Sequence, residues 1–240
     1  MRLKFLLFIL ASMAFGAAAA AQDEDRPFAV EEVTDTAPVV VGTAATPAAD
    51  PENTLLLDLS TGGRVAIRLR PDVAPHHVER IKTLTRQGFY NGLVFHRVIE
   101  GFMAQTGDPT GTGQGDSPLP DLEAEFNRLP HVRGTVSMAR TTDPNSANSQ
   151  FFIMFMPNLN LDQNYSVFGR VISGMQLVDA IPRGEPPANP ARIIRASIQS
   201  DNVPPPTAAE IAAASRPAAQ SGTAALEAAL AAEGSGTAPQ

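Results

Sequence analysis

Apolar residues come in short bursts along this chain, separated by glycine, proline and small polar residues. Two such bursts, Thr54–Leu59 and Arg64–Leu69, flank Thr61-Gly62-Gly63, a pattern that predicts two strands joined by a hairpin. From Ala74 to Gln87 the period changes: Val78, Ile81 and Leu84 recur at helical spacing, and Gly88 ends the run. Further short apolar runs follow at Leu93–Val98, Phe102–Thr106, Thr135–Ala139, Phe151–Phe155 and Ser166–Ile172. Gly174–Ile181 reads as a short helix stopped by Pro182. Arg192–Ser200 sets Ile193 against Arg192 and Ile198 against Gln199, as a half-buried strand does. Many short strands with two helices predict a mainly β domain. A closed antiparallel barrel with helices over its ends fits that count.

The flanks differ in pattern. Arg2 and Lys4 precede an apolar run from Phe5 to Phe15, and Ala19-Ala20-Ala21 offers a small-residue cleavage site before Gln22, so residues 1–21 read as a signal peptide. The run is short for a membrane span, and no stable membrane insertion is expected after cleavage. Residues 22–52 hold Asp23, Glu24, Asp25, Glu31 and Glu32 among Ala, Thr and Pro; with few large apolar side chains they read as a disordered linker. Residues 203–240 open on Pro204-Pro205-Pro206 and continue in Ala, Ser, Gly and Thr, so they read as a disordered tail, with a short helix conceivable at Ala224–Glu233. The folded domain is expected over residues 53–202.

Composition narrows the chemistry. The chain has no Cys, hence no disulfide and no thiolate catalysis. Its formal charge is −7; loss of Arg2 and Lys4 with the leader, and of no acid, makes it −9. Such a balance argues against nucleic acid as a partner. His76, His77, His96 and His131 show no metal-ligand spacing, so no metal and no cofactor are expected. The run Gly111-Thr112-Gly113-Gln114-Gly115 lacks dinucleotide or P-loop spacing and reads as a mobile loop. Asp143, Asn145, Asn148 and Asp162 read as turn residues.

One stretch stands out: Phe95-His96-Arg97-Val98-Ile99-Glu100-Gly101-Phe102-Met103-Ala104-Gln105-Thr106-Gly107-Asp108. A second block runs Ser137-Met138-Ala139-Arg140, then Asn145 to Asn148, then Ser149-Gln150-Phe151-Phe152-Ile153, and a third is Val167-Phe168-Gly169. In this order the blocks resemble the cyclophilin family of peptidyl-prolyl cis/trans isomerases, from about Asn53 to Asn202. The resemblance implies an eight-stranded barrel with a helix at each end. It also implies an enzyme that accelerates rotation about X-Pro bonds in unfolded or partly folded polypeptides.

That reaction has modest chemical needs. The planar amide resists rotation by ~18–20 kcal/mol, and uncatalysed exchange takes tens to hundreds of seconds. A catalyst must bind the twisted amide better than either planar form, and needs no nucleophile or metal. An apolar pocket for the proline ring and a cation near the amide suffice. The resemblance assigns the cation to Arg97, bonding the substrate proline's carbonyl, with Gln105 orienting Arg97 and the substrate backbone. It assigns the proline pocket to Phe102, Met103, Phe152 and Leu161, and the groove wall to Ala139 and Arg140. Tyr165 stands where the best-known members carry a His, and Asn160 where they carry a Trp; weak binding of cyclosporin-like inhibitors is therefore expected. Taken without the family pattern, a Phe or Met in a strand is core and an Arg is surface. The competing function is a non-catalytic chaperone module that holds proline peptides. The leader points to the periplasm or the exterior of a bacterium. A barrel without open edges predicts a monomer.

Overall fold

The computed structural model describes residues 50–216. The predicted leader, the linker before Asp50 and the suggested helix at Ala224–Glu233 lie outside the described residues. Eight strands form one sheet: β1 (Thr54–Leu59), β2 (Gly63–Leu69), β3 (Arg97–Ile99), β4 (Met103–Thr106), β5 (Thr135–Met138), β6 (Phe151–Met154), β7 (Val167–Ser173) and β8 (Ile193–Ile198). The helices are α1 (Pro75–Arg86), α2 (Met175–Asp179) and α3 (Ala208–Ala214).

Every ladder is antiparallel and the strand order is β3-β4-β6-β5-β7-β2-β1-β8. The sheet curls on itself, but no continuous ladder closes it. The end strands meet at a single bridge between Val94 and Arg192, just before β3 and β8. The reason lies in the backbone of Val98. Its N–H donates to Gly184 O at 2.8 Å and its carbonyl accepts from Gly184 N at 2.9 Å. The outer edge of β3 is thus taken by a loop after α2, and β8 cannot pair along it.

Period-two side chains explain the core. Leu55, Leu57 and Leu59 of β1 and Val65, Ile67 and Leu69 of β2 point inward and are buried. Helix α1 lays Val78, Ile81 and Leu84 against them, the three positions its spacing singles out. Its N-terminus carries no local cap. The Glu125 carboxylate serves instead, accepting from His76 N and His77 N at 3.0 Å each.

Strands β4 and β6 are apolar on both faces, and this organises the site. Phe151, Ile153 and Ala104 join the main core. Phe152, Met154 and Met103, one residue out of step, form a second small cluster on the opposite face. The barrel wall therefore separates a structural core from an apolar floor open to the outside.

The domain extends beyond the expected boundaries at both ends. Glu52 accepts from Arg86 and from Ser200, at 2.9 and 2.8 Å, and pairs with Lys82 at 2.5 Å. At the other end Arg64 donates to the carbonyls of Val203 and Pro204, at 3.0 and 2.9 Å, and Arg195 donates to Pro204 O at 2.8 Å. Helix α3 follows, with a capping box between Thr207 and Glu210, and Ser215 Oγ donates to Ser60 O at 2.6 Å. The first part of the predicted disordered tail, 203–216, is thus ordered on the barrel, because backbone carbonyls of its proline run satisfy two arginines. Among the described residues, the two expected helices become three.

Candidate active site

Register brings the candidate residues together. Arg97 lies directly across from Gln105 in the β3–β4 pair, and Gln105 across from Phe152 in the β4–β6 pair. Met103 and Gln105 share a face of β4, so both border the second apolar cluster. Ala139 leaves the end of β5 beside it; Leu161 ends a 3-10 turn, Leu159–Leu161; Tyr165 precedes β7. All nine predicted site residues, Arg97, Phe102, Met103, Gln105, Ala139, Arg140, Phe152, Leu161 and Tyr165, line one pocket of about 250 Å³.

The floor is aromatic and fixed. The Phe152 ring meets Tyr165 edge-to-face, with centroids 5.7 Å apart. It also stacks on the His131 ring at 6.2 Å, and His131 lies 6.4 Å from Tyr165, so the three rings form a triangle. His131 is fully buried, with Nδ1 2.9 Å from Asp162 Oδ1 and Nε2 3.1 Å from Ser137 Oγ. Burial lowers its pKa below the usual imidazole range, against the opposing pull of Asp162. A neutral ring then donates from Nδ1 to Asp162 and accepts the Ser137 hydroxyl at Nε2. Asp162, read from the sequence as a turn residue, ties the loop bearing Leu161 to this ring.

Arg140 holds the rim. Its guanidinium carbon lies 4.6 Å from the Tyr165 ring centroid, and it donates to Asn164 O at 2.8 Å and Thr141 O at 2.9 Å. Arg97 is less encumbered. Its side chain is 43% exposed, and its Nε donates to Glu185 Oε2 at 2.9 Å. Among the described residues its terminal amino groups have no hydrogen-bond partner. Gln105, expected to orient it, does not. Gln105 Nε2 donates instead to Gln150 Oε1 at 2.9 Å, and Gln150 Nε2 donates to Gly115 O at 2.9 Å.

Gln150, Glu185 and His131 were not among the candidates. Gln150 was accessible in principle, since it stands two residues before Phe152 and shares its face. Glu185 and His131 come from distant segments and carry no local signal.

Two further cavities adjoin the pocket at Gln105. One, of about 520 Å³, lies between Arg97, Glu185, Pro186 and the loop Gly111–Gln114. The other, about 120 Å³, lies between Gln114, Asp116, Arg140 and Gln150. Their shared wall is built around Asp108. Its buried carboxylate accepts from Thr110 N at 2.6 Å, Thr112 N at 2.9 Å and Gly113 N at 2.5 Å. The glycine run read as a mobile loop is thus a set of turns around one anion. Gly107 lets it start there: with φ of 92°, a Cβ would press on the carbonyl oxygen of Ser149.

A groove with an apolar floor and a half-free guanidinium at its edge can hold a proline ring and donate hydrogen bonds beside it. Comparison with known proteins agrees. The model of the cyclophilin type peptidyl-prolyl cis-trans isomerase family matches residues 56–198. A probable peptidyl-prolyl cis-trans isomerase of Brucella suis is 53% identical over 170 residues, spanning 64% of this chain and 86% of that protein. The rat peptidyl-prolyl cis-trans isomerase-like 3 is 44% identical over 125 residues, 50% of this chain and 77% of its own. Among solved structures, the cyclophilin AquaCyp293 from Hirschia baltica superposes with a TM-score of 0.60 at 32% identity, covering 65% of this chain and 77% of that one. A Cryptosporidium parvum cyclophilin solved in the presence of the dipeptide Ala-Pro gives 0.57 at 28% identity, covering 60% of this chain and 98% of that one. With these strands, this register and this pocket, the chain belongs to the cyclophilin family of peptidyl-prolyl cis-trans isomerases.

Proposed function

We propose that the pocket floored by Met103 and Phe152 takes the proline ring of an unfolded or partly folded polypeptide, and that Arg97 catalyses rotation of the bond preceding it. The observation that carries this reading is the convergence of nine residues on one pocket, with the terminal amino groups of Arg97 unengaged at its edge. As the amide twists, its nitrogen loses conjugation and gains a lone pair. Donors placed against the substrate proline's carbonyl favour that state, and each ~1.4 kcal/mol of such preference is worth tenfold in rate. No covalent step is needed. Gln105, held by Gln150, is placed to bond the substrate backbone beside the pocket. The Ala-Pro present with the Cryptosporidium parvum relative supports proline-containing peptides as substrates.

The clients are exported proteins folding outside the cytoplasm. What supports this is the leader pattern of Arg2, Lys4, the apolar run to Phe15 and Ala19-Ala20-Ala21. The enzyme works as a monomer on such clients. Mass spectrometry of the protein purified from the periplasm tests the export: a mature chain beginning at Gln22 is expected, and an intact Met1 start in the cytoplasm rejects it.

The catalytic claim is tested by NMR exchange spectroscopy on a short Ala-Pro-containing peptide with the native protein at substoichiometric amounts. Cis and trans signals that exchange within a second support it. Peptide signals that shift on binding without faster exchange mean that the groove only holds its ligand.

A further inference from the structure

Arg97 sits between two fixed segments. One is β3 itself. The other is the loop after α2, whose Gly184 makes both backbone bonds to Val98, the residue after Arg97. Gly184 has φ of 148°, and a Cβ there would lie 2.6 Å from Pro187 Cα, so only glycine lets the loop turn at that point. Pinning Gly184 beside Val98 puts the next side chain, Glu185, beside Arg97. A second ion pair, Arg183 Nε to Glu100 Oε2 at 2.7 Å, ties the same two segments on the other side of the bridge.

The two pairs differ in what they restrain. Arg183 also donates to the carbonyls of Asp179 and Ile181 and lies over the Phe155 ring at 4.2 Å, so it has other anchors. Arg97 has one bond among the described residues, through Nε to Glu185. A guanidinium is planar, with donors in a fixed fork. A bond at Nε restrains that plane, and both outer amino groups remain without a hydrogen-bond partner among the described residues. Gln105, the residue across the strand pair, is turned to Gln150 and leaves this task undone.

We propose that Glu185 is the positioning residue for Arg97: by accepting from Nε it fixes the guanidinium plane so that the terminal amino groups meet the carbonyl of the substrate proline. This rests on the reading of Arg97 given above. Glu185 touches neither the proline pocket nor the rotating bond. It acts through Arg97, so its removal lowers turnover more than affinity.

The test uses the full chain and three measurements. Exchange spectroscopy on the Ala-Pro peptide gives kcat and KM for the native protein, Glu185→Ala and Glu185→Gln. An exposed pair restrains weakly, so a roughly two- to fivefold fall in kcat is expected for Glu185→Ala, with a smaller change in KM. Glu185→Gln keeps an acceptor and falls between. Glu100→Gln, which cuts only the neighbouring pair, leaves kcat unchanged. In an Arg97→Lys background, which has no Nε–H, adding Glu185→Ala costs no further activity. Finally, the Arg97 Nε–H resonance moves in Glu185→Ala while the melting temperature holds. Native kcat in Glu185→Ala, or an equal loss in the Arg97→Lys background, overturns the proposal. So does an unmoved Nε–H resonance. A native protein that fails to speed exchange defeats the isomerase reading instead; the resonance alone then still decides whether Glu185 holds Arg97.

Discussion

Phe152 joins the packing of the barrel to the proposed proline pocket. It is 4% exposed, stacked on His131 and edge-on to Tyr165, and it floors the pocket. Phe152→Ala should cost about 3–5 kcal/mol of stability in urea unfolding, the range for emptying a buried aromatic site, and should raise KM for the peptide. Arg140→Ala removes the cation over Tyr165 without opening a cavity. A roughly two- to fivefold rise in KM with kcat retained is expected, because the stacked cation is worth about 0.5–1 kcal/mol at an exposed site. At this scale the pocket residues were named by the family resemblance alone, seven from its two blocks and Leu161 and Tyr165 from beyond them. What holds them was not. Glu185 lies 88 positions after Arg97 and reaches it only once the loop after α2 docks on β3. His131 reads as an isolated histidine until folding places it under Phe152.

At the scale of elements, the loop after β4 depends on Asp108. Burial alone would raise the pKa of this carboxyl. Hydrogen bonds from the Thr110 hydroxyl and from the N–H groups of Thr110, Gly115 and Gly113 outweigh it, and the value falls to about 2. A carboxylate with a depressed folded pKa contributes stability that is present above the ordinary range near 4. That contribution disappears as pH falls toward 2. Asp108→Asn exchanges an acceptor-only group for one that also donates into a ring of donors. It should cost roughly 1.5–3 kcal/mol in urea unfolding, the range for hydrogen bonds to charged groups, and should flatten the acid limb of the stability profile below pH 4. Periodicity found the elements themselves well. The helix expected over Ala74–Gln87 spans Pro75–Arg86, and the hairpin strands fall where alternation and Gly62-Gly63 place them. The run Leu93–Val98 yields a strand only from Arg97, since the backbones of Leu93 and Phe95 bond to Ile193 and Ala191 across the Val94–Arg192 bridge rather than to β4. Such a choice of partner has no local signature.

At the scale of the whole molecule, the described segments 50–52 and 203–216 are part of the folded structure. Asp58 is 1% exposed and is matched by Arg64 and Arg195, which also bind the carbonyls of Val203 and Pro204. A chain ending at Asn202 leaves those donors to water and loses α3. It should unfold at lower urea, with a loss of about 1–3 kcal/mol. Burial also lowers the pKa of His77, His96 and His131 below the ordinary imidazole range. The unfolded chain then binds more protons than the folded one just below that range, so stability falls as pH drops through it. Urea midpoints at pH 7.5 and pH 5 check the sign, with the lower midpoint expected at pH 5. The mainly β class was legible from eight apolar bursts and two helical stretches, and the eight-stranded barrel from the family resemblance. Its incomplete closure and the docked tail were not, because both depend on which backbone groups find partners after folding.

The measurement that bears most directly on the account is the X-Pro exchange rate with Arg97→Ala, taken together with the peptide Kd of the same variant. The account predicts that kcat falls about 100-fold or more, as when a donor aimed at a developing charge is removed, while Kd changes only a few-fold because the apolar floor is intact. Exchange as fast as with the native protein would contradict it.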